Sequence, residues 1–441
     1  MVGRLTLASA AALAVAVHAA SIDLMPSAHA QTGFTTPIVS KVPRRRSKSD
    51  ALHSLRTRST AGKSASPPTA VLSGAYYDFE YLVPIEVDGQ PFVVIVDTGS
   101  SDTWVVEKNF QCLNLTGSVQ QPTSCKFGSG GFDTTHSKTF APYPDSQFYV
   151  AYGDGEYLSG TAGKATIGVG GLNVTKQVFG LANKTAWEGD GINSGLLGLA
   201  YPTLTSVSSA SHGDQLEYDP FFFNAVKQGI ISETYFSLAL NRGTTAGKSS
   251  TSLDPHLGYL TFGGLPPVAT VPDTSTTVPL QAFTAGGREP ISGTSPTPKA
   301  YFYYTVDIQS YFFPNSSRIA GGTSSNKTII DSGTTLNMLP SPVAQAYNGL
   351  WAKWRSGSWY VPCSAVAPPF VVQLGGKNYT IDARDLVVPV EDGECVSGIQ
   401  DGGDEDVDGN MFILGDVFLH NVVAQFDIGK NRMTFAQRKP Y

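Results

Sequence analysis

Two segments of this chain, 234 residues apart, carry almost the same text: VVIVDTGSS at 93–101 and TIIDSGTT at 328–335. Each is an apolar run that ends in Asp, followed by a small hydroxyl residue, Gly and further hydroxyls. A single Asp at a strand end is ordinarily a turn cap. A buried carboxylate without a partner is costly, however. Two copies of the same costly arrangement point to a pair of carboxylates, one from each of two similar halves.

The repeat extends beyond the two Asp segments. Gly195-Leu196-Leu197-Gly198-Leu199 follows the first, and Phe412-Ile413-Leu414-Gly415-Asp416 follows the second. In both, an apolar pair precedes a Gly that lets one backbone pass close to its neighbour. Between these landmarks, short apolar or alternating runs are broken by Gly, Asn, Asp and Pro. Strands are predicted at 81–87, 92–96, 148–152, 235–240 and 301–308, and helices only at 221–228 and 342–354. The fold class is therefore mainly β, in two halves joined near 261–273. Surface insertions are expected at 114–131, 242–256, 285–298 and 400–409.

Charge divides the 441 residues unevenly. The net charge is −6, yet residues 31–70 hold eight Lys and Arg against Asp50 alone, leaving the body strongly acidic. This segment is Ser/Thr/Pro-rich and lacks interleaved aromatics, which argues against a nucleic-acid arm. It reads as a basic leader attracted to an acidic body. Before it, Arg4 and a short apolar stretch lead to Ala28-His29-Ala30, a signal-peptide pattern with Val17-His18-Ala19 as the rival cleavage site. No apolar run is long enough to span a bilayer, and the polar C-terminus does not resemble a lipid-anchor tail. The protein is expected to be secreted, with no membrane anchor.

The cysteines agree with that route. There are four, and sequence alone allows three pairings. Joining near neighbours, Cys112–Cys125 and Cys363–Cys395, closes the shortest loops. No pair has short metal-ligand spacing, so no metal is expected. Sequons begin at Asn114, Asn173, Asn183, Asn315, Asn326 and Asn378, candidates for glycosylation.

These landmarks together resemble the pepsin-like aspartic peptidases, the secreted fungal ones in particular. The resemblance spans about 76–437. It rests on VDTGSSDTW at 96–104, YGDG at 152–155, GLLGLA at 195–200, FFFNAVKQGIISETYFSLAL at 221–240, YLTFGG at 259–264, IDSGTT at 330–335 and FILGDVFL at 412–419. The second triplet has Ser332 where the family more often has Thr, which keeps the hydroxyl. The resemblance implies a bilobal pepsin-like fold, two pseudo-symmetric β-rich lobes with an active-site cleft between them. It implies boundaries at 1–30 for the signal peptide (or nearer 20), 31–70 for an inhibitory pro-segment, 71–268 for the N-terminal lobe and 269–441 for the C-terminal lobe. Asp97 and Asp331 become the catalytic pair, with Gly99 and Gly333 allowing tight turns. Ser100 and Thr334 would donate to the outer carboxylate oxygens. Tyr152, Gly153 and Asp154 match a hairpin flap that closes over substrate, with the Tyr152 hydroxyl toward Trp104. Asp154 implies acceptance of Lys on the amino side of the cut, and Glu156 either helps or faces solvent.

The expected function is a secreted acid endopeptidase made as a zymogen, cutting between large apolar residues without a cofactor. Its expected partners are polypeptide substrates and its own pro-segment, with no nucleic acid, and a monomer is expected. The rival reading, an inactive binding protein on the same fold, conflicts with two intact triplets and Tyr152. A lectin-like β-protein leaves the Asp repeat unexplained. Asp404, Asp406 and Asp408 begin like a calcium loop, but position twelve falls on Gly415. Neither a serine elbow nor a zinc-binding helix motif is present. His53 and His420 have no evident partner and read as structural or surface residues.

Overall fold

Strand-length apolar runs with turn residues between them fold as the alternation requires. The computed structural model describes residues 67–74, 80–152, 155–243, 254–284, 299–314, 319–320, 327–390, 393–403 and 412–441. The signal peptide, nearly all of the basic leader, Gly153, Asp154, Asn315, Asn326 and the acidic 404–410 stretch lie outside these residues. So do much of 242–256 and all of 285–298. Thr69 and Ala70, read as the end of the leader, begin the strand Thr69–Gly74.

Each half places its Asp by the same local arrangement. The strand Gln90–Asp97 runs parallel to Gly195–Gly198, with Asp97 opposite Gly198. In the second half Lys327–Ile330 runs parallel to Phe412–Leu414, with Ile330 opposite Leu414. The chain leaving each Asp motif returns antiparallel to the same partner, through Trp104 opposite Leu196 and Met338 opposite Ile413. The partner glycines are needed for space. A Cβ on Gly198 would lie 2.5 Å from the Ser101 carbonyl carbon, and one on Gly415 2.1 Å from the Thr334 oxygen. Any side chain there would push the Asp loop out of place.

A single sheet ties the halves together. From Thr69–Gly74 it passes through Asp254–Phe262, Tyr235–Leu240, Val422–Asp427 and Arg432–Gln437 to Thr276–Pro279. Phe236 and Phe426 stack across it at 4.7 Å, and Tyr304 meets Phe426 edge-on at 4.7 Å. Both disulfides are formed, Cys112–Cys125 and Cys363–Cys395. Among the described residues no helix is long and apolar enough to cross a membrane.

Local expectations fare unevenly. The strands Tyr81–Val87 and Tyr235–Leu240 form as predicted. The segment 301–308 is a strand only at Thr305–Asp307. Its tyrosines serve the junction of the halves instead: Tyr301 stacks on Tyr201 at 5.4 Å, and the Tyr304 hydroxyl donates to the Leu199 carbonyl at 2.6 Å. The helix predicted at 342–354 is Ser341–Asn348, closed by Gly349. The remainder enters a hairpin whose turn, Ser356-Gly357, has φ of 49° and 83°, as a two-residue type I′ loop requires.

Of the two readings of His420, structural or surface, the structural one holds, and partners that its sequence does not show are present. His420 is buried. Its Nε2 lies 2.5 Å from the Tyr81 hydroxyl and its Nδ1 3.0 Å from Asp385 Oδ1. Arg242 grips both Asp385 oxygens at 2.6 Å, and Asn421 Nδ2 donates to Oδ2 at 2.7 Å. Burial alone would raise the Asp385 pKa, but His420 and Arg242 outweigh it and hold it at about 2. A depressed carboxylate contributes stability above its unfolded value near 4, and that stability is lost as pH falls through about 2. Asp385→Asn is therefore expected to cost about 2–3 kcal/mol at pH 5. Urea melts should show this gap narrowing towards pH 2; a gap constant over that range would contradict the assignment.

Candidate active site

The end of each Asp strand is bound to the other half through its hydroxyl neighbour. Thr98 Oγ1 donates to the Ile330 carbonyl at 3.0 Å and accepts the Ser332 amide at 3.0 Å. Ser332 Oγ donates to the Val96 carbonyl at 2.9 Å and accepts the Thr98 amide at 3.2 Å. Four bonds thus cross between the halves in reciprocal pairs, and only the hydroxyls are used. That is why Ser serves at 332 as well as Thr would.

The clamp brings the two carboxylates face to face. Asp97 and Asp331 are fully buried. Asp97 Oδ1 accepts the Gly99 amide at 2.6 Å, and its Oδ2 accepts the Ser100 hydroxyl at 2.6 Å. Asp331 Oδ1 accepts the Gly333 amide at 2.8 Å, and its Oδ2 accepts the Thr334 hydroxyl at 2.7 Å. A Cβ on Gly99 would meet Asp331 Oδ1 at 2.6 Å, and one on Gly333 would meet Asp97 Oδ1 at 2.5 Å. Neither glycine has a positive φ. The chain does turn at Thr98-Gly99 and Ser332-Gly333, and the glycines also leave room for the opposite carboxylate.

Burial raises both pKa values. For Asp97 the nearby Asp331 adds to the rise, and the Ser100 and Gly99 bonds oppose it. For Asp331 burial again outweighs the Thr334 and Gly333 bonds. Two carboxyls this close cannot both ionise easily, so the pair holds one proton over a range that belongs to both residues.

Tyr152, close enough to Asp97 to feel its charge, belongs to an aromatic box. The Trp104 indole N–H donates to the Tyr152 hydroxyl at 2.7 Å. Trp187 meets Trp104 edge-on at 5.3 Å and Tyr152 at 5.9 Å, and it stacks on Phe127 at 6.2 Å. Burial pushes the Tyr152 hydroxyl well above its usual pKa, against the opposing Trp104 bond, so it stays protonated.

At this site Trp187 carries no sequence signal. Asp102 lies within the 96–104 motif, which assigns it no role: it is buried, and its Oδ1 accepts the Tyr218 hydroxyl at 2.6 Å. Burial raises its pKa despite the Tyr218 and Ser206 bonds. Glu156, expected to assist charge recognition or face solvent, does not face solvent, being only 4% exposed. Of the sequons, Asn114, Asn173 and Asn378 are exposed and Asn183 is half-buried.

The model of the family described as eukaryotic aspartyl protease matches residues 80–438. The chain is 34% identical over 416 residues to a probable aspartic-type endopeptidase of Aspergillus fumigatus, covering 91% of this chain and 88% of that protein. It is 29% identical to rhizopuspepsin-4 of Rhizopus niveus, over 79% and 75% of the two chains. The crystal structure of an aspartic proteinase from Irpex lacteus superposes with a TM-score of 0.64 at 20% identity, covering 84% of this chain and 97% of that one.

Proposed function

We propose that this chain, which belongs to the eukaryotic aspartyl protease family, is a secreted acid endopeptidase made as a zymogen, with Asp97 and Asp331 as its catalytic pair. That it is an aspartic-type endopeptidase, a hydrolase acting on polypeptides, follows from the family. The residue roles rest on one observation: two fully buried carboxylates, each held by a Gly amide and a hydroxyl and each filling the space left by the other half's glycine.

In this reading the ionised member of the pair takes a proton from a bound water as its oxygen attacks the scissile carbonyl carbon. The protonated member donates to the carbonyl oxygen and stabilises the developing charge. The C–N bond of the tetrahedral intermediate then breaks, with a proton passing to the departing amine. No acyl-enzyme forms. The box of Trp104, Phe127, Tyr152 and Trp187 supports a preference for large apolar residues beside the cut. Asp154 would add acceptance of Lys.

The pH dependence has a definite sign. The shared proton has a raised folded pKa, so its stabilising contribution is complete below the unfolded value and is lost as pH rises through the folded one. Activity needs the same proton and should fall in the same direction. Within the basic leader, the bases between Lys41 and Lys63 would hold an acidic cleft closed near neutrality and release it when those carboxylates protonate.

One experiment tests the whole reading. The purified full-length precursor is incubated at pH 7 and at about pH 3.5, where Asp and Glu protonate. Casein digestion is followed with and without a statine inhibitor. Latency at pH 7, self-shortening and inhibitable digestion in acid are expected. Undiminished digestion by the acid-shortened enzyme once returned to pH 7 would overturn the shared-proton mechanism, and a fully active unshortened precursor would overturn the zymogen.

A further inference from the structure

The strands Tyr157–Val169 and Leu172–Ala186 pair along nearly their whole length, and their last matched residues are Tyr157 and Ala186. Just beyond that end the chains part. One continues backwards through Glu156 to Tyr152, the other forwards through Trp187 and Glu188. Ladder bonds no longer hold them. The Glu156 side chain does: its Oε1 accepts the Glu188 backbone amide at 2.6 Å. Across its own hairpin turn, the Glu156 carbonyl accepts the Tyr152 amide at 2.8 Å, and Gly155 N–H donates to the Tyr152 carbonyl at 3.1 Å.

We propose that Glu156 is a positioning residue: its carboxylate bolts the turn end of the Tyr152 hairpin to the Trp187 loop and so sets where the Tyr152 and Trp187 rings stand. This rests on the endopeptidase reading above. Three observations carry it. Glu156 is 4% exposed, so its carboxyl does not serve as a solubilising charge. Its bond is to a backbone amide one residue from Trp187, whose ring touches Tyr152 and Trp104. Tyr152 in turn takes the Trp104 indole N–H, so the bolt, the hairpin and the box form a closed loop of contacts.

Position in the ladder separates this role from general stability. The extended pairing behind Tyr157 secures the two strands. A side-chain bond at their parting end adds little to global unfolding, but it decides how far the end residues can move. Only an acceptor with the reach of Glu or Gln would close the gap. A buried charge is not required, because the amide oxygen of Gln presents the same acceptor to Glu188 N–H.

The test uses the mature enzyme with one fluorogenic peptide at acidic pH. It compares wild type, Glu156→Gln, Glu156→Leu and Glu156→Ala. Leu and Ala are expected to lower kcat/KM about tenfold, as small misplacement of reacting and binding groups does. Statine-inhibitor affinity should weaken in parallel, and Tm should stay within about 3 °C of wild type. Gln should restore kcat/KM to within about threefold of wild type, a neutral bond being weaker than a charged one. Wild-type kinetics in both Leu and Ala would overturn the proposal. So would a Gln variant as impaired as Leu, which would assign the effect to charge. Failure of Leu and Ala to fold, or a kinetic loss that tracks Tm alone, would make Glu156 a stability residue. If wild type itself does not cleave, the endopeptidase reading fails instead, and the two failures remain distinct.

Discussion

Peptide hydrolysis is expected to fall by about a thousandfold or more in Asp97→Asn and again in Asp331→Asn, a barrier increase of about 4 kcal/mol or above. The amide is nearly isosteric with the carboxyl, so the four-bond clamp of Thr98 and Ser332 should survive. Chemistry should not. The Asn oxygen still accepts a bond from Ser100 or Thr334, but its NH₂ neither takes a proton from water nor passes one to the leaving nitrogen. The stability of the variants makes the test decisive. Wild type carries two buried carboxyls with raised pKa values, and that arrangement is penalised as pH rises. Replacing either one removes the repulsion. Both variants should therefore melt no lower than wild type at pH 7 while being inactive in acid. Near-wild-type turnover by either purified variant would remove that residue from the mechanism, and a large loss of Tm would attribute the defect to folding.

The carboxylate pair is legible in the sequence because it is a local pattern repeated. An apolar strand, Asp, hydroxyl and Gly are contiguous in each half, and a buried acid there demands a partner whatever the fold. The partner strands are equally legible, since the apolar pair before Gly198 and before Gly415 is also contiguous. Contacts whose partner is distant and chemically plain leave no such trace. Glu156 bonds a backbone amide 32 residues away, and no residue type advertises an amide. An acid beside the hairpin tip therefore reads as a charge-recognising or a solvated group. His420 lies 339 residues from Tyr81 and 35 from Asp385, so nothing near it in sequence announces a buried pair. The overlong helix at 342–354 has another cause. Leu350, Trp351 and Trp354 extend a helical apolar spacing, but Gly349 ends the helix and the Ser356-Gly357 turn pulls Trp354 into a hairpin.

Gly333→Ala and Gly99→Ala follow from the same geometry and should have the next largest effect. Ala is ordinarily harmless where φ is negative, and neither glycine has a positive φ. Backbone strain therefore predicts no defect. Space predicts a severe one. The new methyl at 333 would sit 2.5 Å from Asp97 Oδ1 and 2.7 Å from its Cγ, and the one at 99 would sit 2.6 Å from Asp331 Oδ1. These carboxyls cannot swing aside freely, since each is buried and held by two hydrogen bonds. The pair must separate, and a displacement on the order of 1 Å at reacting groups costs about a hundredfold in kcat/KM. Separation has a second signature that simple damage lacks. Carboxyls farther apart repel less, so the raised pKa of the shared proton should drop. The upper limb of the pH–rate profile should then move towards acid in both alanine variants. A hundredfold loss with an unmoved upper limb would mean that the methyl blocks substrate and leaves the pair intact. Wild-type kcat/KM in either variant would show that the two carboxyls are not held in contact at all.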